Sequence, residues 1–117
     1  MTRIAFIGLG NMGGGMAARQ VVGGREVLAF DLSDAAVKKV VAAGAHPAGS
    51  VAKAVETADA VITMLPAGPH VRKVYDEHII PHAPKSALLI DCSTIDVDSA
   101  RAVAAQAKAA GFRFVGP

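Results

Sequence analysis

The sequence predicts an α/β domain, a doubly wound parallel sheet with helices on both faces and three layers in all. Three observations carry this. Short apolar, β-branched runs alternate with longer helical stretches from Arg3 to Val115, the pattern of a covered parallel sheet. Hydrophobic residues make up 52% of the chain and aromatic ones 4%, so the core must be built of Ala, Val, Ile and Leu, as suits buried parallel strands under Ala-rich helices. The 117 residues fit one domain, 1–117, with no room for a second.

The elements follow in order. Arg3 to Ile7 is the first strand. Met12 to Val22 is a helix that Gly23 and Gly24 stop. Val27 to Phe30 is the second strand. Ser33 and Asp34 can cap a helix running to about Ala43, ended by Gly44. His46 to Ala48 gives a weak third strand, and Ser50 caps a short helix to about Thr57. Ala60 to Met64 is a buried strand. Pro69 sits where a helix can begin without its N–H, and that helix should fail near Pro81. Leu88 to Cys92 is the fifth strand. Asp96 to Ala110 is a long Ala-rich helix closed by Gly111, and Phe112 to Val115 opens a sixth strand. The chain stops there, which reads as a cut.

Composition narrows the function. Twelve basic and ten acidic residues are interspersed, for a net charge of +2. There is no basic stripe of the kind a nucleic-acid binder shows. No apolar run is long enough to cross a membrane. The start, MTRIAFIGLG, enters a strand at once without a secretory or transit pattern. The single cysteine, Cys92, allows no intramolecular disulfide and fits a reducing compartment. The expectation is a cytoplasmic protein.

The strongest motif is Gly8-Leu9-Gly10-Asn11-Met12-Gly13, a G-x-G-x-x-G match between a strand and a helix read independently of it. Gly8 permits the tight turn, Gly10 lets the backbone approach a pyrophosphate, and Gly13 lets the helix pack closely on the sheet. The helix N-terminus then offers unpaired N–H groups and partial positive charge to an anion. Gly14 and Gly15 prolong the run, so the first turn should be soft until phosphate orders it. Asp31 ends the second strand eighteen residues after Gly13, where a dinucleotide fold places an acid for the adenosine ribose. No arginine follows it to welcome a 2′-phosphate. The cofactor expected is NAD rather than NADP. The glycine spacing alone also admits FAD or S-adenosylmethionine.

GLGNMG, FDLSD, ITMLPAGPHV and LLIDCSTIDVDSA, in that order, resemble the N-terminal half of the 3-hydroxyisobutyrate dehydrogenases, within the β-hydroxyacid dehydrogenases related to 6-phosphogluconate dehydrogenase. The likeness runs from Ile4 to Val115. It implies a Rossmann domain, a following helical domain that is absent from this chain, and oxidation of a short 3-hydroxy acid with hydride transfer to NAD, a step of valine degradation. It places Gly8 through Gly13 on the pyrophosphate, Asp31 on the ribose, Leu65 and Pro66 against the cofactor, Thr94 beside the nicotinamide and Ser93 near substrate. Pro66, Ser93 and Thr94 fall where ligands of such sheets lie, just past the strand ends. Members commonly carry Pro where Gly15 stands and often Asn where His70 stands. The family's next motif, Asp-Ala-Pro-Val-Ser-Gly-Gly, holds the substrate carboxylate, whereas this chain reads Phe114-Val115-Gly116-Pro117 and ends. The family's catalytic lysine lies further on, and none of Lys38, Lys39, Lys53, Lys73, Lys85 or Lys108 stands in for it. The chain is therefore expected to carry no catalytic residue and to be inactive alone, while admitting assembly as a homo-oligomer.

Other residues carry plainer readings. His78 and His82 are four apart, but Pro81 breaks the helix between them and no third metal ligand is evident. His46 is expected in solvent, and Cys92 as a small buried hydrophobe. A different class of function also fits the chain, a stand-alone dinucleotide-binding module serving as a redox sensor or as a subunit completed by a partner. A severed half should expose an apolar patch, sought on the Asp96 to Ala110 helix.

Overall fold

The computed structural model describes residues 2–93 and 95–116, except for the side chains of residues 10–12. Six parallel strands form one sheet in the order β3-β2-β1-β4-β5-β6, the doubly wound arrangement whose strand order reverses beside β1. In chain order the elements are β1 (Arg3–Ile7), α1 (Gly10–Val22), β2 (Glu26–Phe30), α2 (Asp34–Ala42), β3 (His46–Pro47), α3 (Val51–Val55), β4 (Ala60–Thr63), α4 (Gly68–Val74), β5 (Leu88–Asp91), α5 (Val97–Ala109) and β6 (Arg113–Val115).

Side chains on a strand alternate between faces, and β1 shows this plainly. Ile4 and Phe6 pack with Ala17 of α1 and Val40 of α2. Ala5 and Ile7 pack on the other face with Val55, Val71, Tyr75 and Val103. The two clusters make the outer layers possible, and each sits under the helices that the sequence pattern supplied.

The ends of the elements have local causes. Ser33 and Ser50 accept from the Ala36 and Lys53 amides at 3.3 and 3.1 Å, capping α2 and α3 as expected. For α5 the cap is Asp96, which accepts from Ser99 N at 3.0 Å. The weak third strand is two residues long and lies at the sheet edge, where Pro47 can be tolerated without its N–H. His46 is exposed, as expected.

The helix that should fail near Pro81 does so in two stages. α4 ends at Val74 and continues as a π-helical turn over Tyr75–Ile79, with Ile80 N reaching back five residues to Tyr75 O at 3.0 Å. Pro81 has no N–H to continue the ladder. His82 N bonds Ile79 O, and the His82 ring pairs with the His78 carbonyl at 2.9 Å.

The outer face of α5 is not the apolar patch sought there. Asp98, Arg101 and Lys108 are exposed on it, with Val97 at its first turn. Apolar surface lies instead on the sheet face away from α5, where Ile90 and Cys92 are half-buried and Val115 is exposed.

Candidate functional site

The carboxyl ends of β1, β2, β4 and β5 converge on a cavity of about 800 Å³ lined by Gly8, Asp31, Leu32, Leu65, Pro66 and Cys92, and also by Ser50, His70 and His78. This is the crevice in which open α/β sheets bind ligands.

Gly8 turns the chain out of β1 with φ +85°, a conformation that side chains rarely tolerate. A Cβ there would overlap the Met64 carbonyl oxygen and lie 2.7 Å from Leu65 Cδ2. Its amide donates to Phe30 O at 2.9 Å. Gly13 faces the floor of the same turn, where a Cβ would meet Gly8 O at 3.0 Å and the Phe6 ring at 3.3 Å. Gly15 has open space around it. Glycine is thus sterically required at 8, the space at 13 is tight, and that at 15 is open.

Asp31 sits just past β2 and braces the loop. One carboxylate oxygen accepts from Leu9 N at 2.7 Å and the other from Ser33 N at 2.8 Å. Each oxygen keeps a further lone pair, and the residue lines the cavity. No Lys or Arg is among the described residues that line it.

A buried chain of hydrogen bonds joins the β4 and β5 ends. Tyr75 OH and Thr63 Oγ1 lie 2.9 Å apart, and Thr63 Oγ1 donates to Asp91 Oδ1 at 2.8 Å. With its one proton so placed, Thr63 accepts from Tyr75. Burial pushes the Tyr75 phenol well above its ordinary range, which keeps it a donor. Ser93 N donates to the same Asp91 oxygen at 3.1 Å, and Ser93 Oγ accepts from Leu65 N at 2.7 Å. Asp91 Oδ2 is buried without a hydrogen-bond partner among the described residues. Burial, and then the Asp91 charge, push the Cys92 thiol up. That disfavours the thiolate a nucleophile would need.

The structure brings Gly8, Asp31, Leu65 and Pro66 together on one cavity. Leu9 is fully buried beneath the loop with its amide held by Asp31, and Gly13 packs on β1. Gly10 opens α1. The side chains of Asn11 and Met12, and Thr94 altogether, lie outside the described residues. Ser93 is 2% exposed. All six lysines are exposed, and none lines the cavity. Among the described residues no three His, Cys, Asp or Glu side chains could hold a metal, and no helix is long and apolar enough to cross a membrane.

Sequence reasoning missed the Tyr75–Thr63–Asp91 chain. Its signal was there, because Thr63 and Asp91 end the otherwise apolar runs AVIT and LLID, and buried polar groups need partners. It also missed Leu32, an apolar side chain 81% exposed at the cavity rim.

Comparison with known proteins agrees with this geometry. Residues 3–117 match the family model described as the NAD binding domain of 6-phosphogluconate dehydrogenase. A 3-hydroxyisobutyrate dehydrogenase of Pseudomonas aeruginosa is 49% identical over 113 residues, which are 95% of this chain and 38% of that protein. An NAD-dependent L-serine dehydrogenase of the same organism is 45% identical over 113 residues, again 38% of its length. The solved structure of Mycobacterium tuberculosis 3-hydroxyisobutyrate dehydrogenase with L-serine superposes with TM-score 0.95 at 43% identity, covering 99% of this chain and 40% of that one. The chain thus spans about two-fifths of the length of these relatives.

Proposed function

The chain belongs to the family of NAD-binding domains described for 6-phosphogluconate dehydrogenase, and from that premise we propose that it serves a dehydrogenase of short 3-hydroxy acids and prefers NAD to NADP. The observation that carries this is the Asp31 carboxylate, held by the Leu9 and Ser33 amides on a cavity with no Lys or Arg among its described lining residues. It can accept from a ribose hydroxyl and repels a 2′-phosphate. Gly8 through Gly13 would receive the pyrophosphate, Leu65 and Pro66 would lie against the cofactor, and Thr94 would stand beside the nicotinamide. NAD, when bound, supplies the hydride acceptor. The names of the relatives support a substrate such as 3-hydroxyisobutyrate or L-serine.

The 117 residues hold the cofactor but do not complete the reaction. A general base must take the hydroxyl proton; the family resemblance makes that base a lysine, and none of the chain's six lysines lines the cavity. The test is NADH formation by the chain from 3-hydroxyisobutyrate or L-serine. None above blank is expected, and turnover would overturn this part of the reading. The polar outer face of α5 supports the second reading, a binding module complete in itself. That module would sediment as a patch-free monomer, whereas a part of a larger enzyme would self-associate through the surface around Ile90 and Val115.

A further inference from the structure

We infer that Ser93 is a positioning residue for the cofactor, fixing the Leu65 amide so that the turn after β4 is set before NAD arrives. This rests on NAD occupying the cavity that Leu65 and Pro66 line.

Leu65 begins a turn that leaves the sheet, so its amide has no ladder partner in β1 or β5 beyond the one Met64 makes to Ile7 O at 2.9 Å. Ser93, just past the neighbouring strand β5, supplies that partner, Oγ to Leu65 N at 2.7 Å. The serine is itself held, since its amide donates to Asp91 Oδ1. Asp91 is anchored in turn by Thr63, and Thr63 by Tyr75. Every member from Tyr75 to Ser93 is buried, where hydrogen bonds are strong and an unmade one is costly. Leu65 packs against Gly8 on its other side, its Cδ2 within 2.7 Å of where a Cβ would stand. A displaced Leu65 would therefore enter the phosphate loop. The chain runs from the helix layer to the cavity floor and ends on the backbone of the cofactor turn. It also keeps a buried carboxylate whose second oxygen is unpartnered among the described residues. A purely structural role would be served more cheaply by an apolar side chain.

The inference separates two roles for Ser93. A serine that only meets substrate leaves NAD binding untouched, whereas a serine that sets Leu65 does not. The experiment titrates NAD into the 117-residue chain and into Ser93→Ala, Ser93→Thr and Val103→Ala, with thermal unfolding of each. Leu65 amide hydrogen exchange is measured without NAD. Ser93→Ala should bind NAD about fivefold more weakly, the scale of one net hydrogen bond, and Leu65 exchange should quicken. Ser93→Thr keeps the hydroxyl and should restore both. Val103→Ala trims a fully buried side chain of α5 that is no part of the hydrogen-bonded chain, and should lower the unfolding midpoint while NAD affinity stays near the parent value. Unchanged NAD affinity in Ser93→Ala would overturn the proposal, as would equal weakening in Val103→Ala. If the parent chain itself fails to bind NAD, the functional reading fails with it. Leu65 exchange then decides the clamp by itself, unchanged protection in Ser93→Ala overturning it.

Discussion

At Asp31 one carboxylate accepts from two amides and still faces the cavity. Its loss should therefore loosen the Gly8–Gly13 loop and, on the function proposed, remove a ribose contact. Asp31→Ala should weaken NAD at least about tenfold, near 1.4 kcal/mol, and should erase the preference over NADP. Titration of both cofactors against the variant measures this. Gly8 is a second position where one atom decides the outcome. A methyl group there meets the Met64 carbonyl at a backbone φ of +85°. Gly8→Ala should destabilise by at least about 1–3 kcal/mol, the range for strained backbone, read as a lower midpoint in urea. Both residues were legible in the sequence, because glycine and acid at fixed spacing have few other uses.

Among the elements, α5 offers a prediction with a sign. Asp96 caps it, and the Ser99 amide, then the Ser99 hydroxyl, hold its carboxyl below the usual carboxylate range. A carboxyl whose folded value is lowered adds stability above its unfolded pKa and loses it as pH falls through the folded value. Asp96→Ala should lower the denaturation midpoint at neutral pH, and the gap to the parent should close as the pH is taken below the carboxylate range. Strands and helices were readable to within a residue or two, since apolar periodicity and Ser, Asp and Gly end signals set them locally. The π-helical turn over Tyr75–Ile79 was not readable. It arises where Pro81 removes a donor while Tyr75 must reach Thr63 in the sheet, a tertiary demand with no local signature. The hydrogen bond from Ser93 to Leu65 was hidden for the same reason, its partners standing 28 residues apart.

For the whole molecule, the parallel sheet ties the loops after β1, β2, β4 and β5 into one surface through backbone bonds. These are Gly8 N to Phe30 O, Met64 N to Ile7 O, and Cys92 N to Thr63 O at 2.9, 2.9 and 2.8 Å. A ligand bridging those loops should stabilise the entire fold, by about 2.7 kcal/mol at a hundredfold excess over Kd. A rise in the thermal midpoint with NAD concentration reports it, and a midpoint indifferent to saturating NAD would count against a shared site. On the function proposed, this cavity takes NAD and Asp31 turns NADP away. Calorimetric titration of the chain with NAD and, separately, NADP tests it most directly. Saturable NAD binding at least about tenfold tighter than NADP is expected. Equal or tighter binding of NADP, or binding of neither by the folded chain, would contradict it.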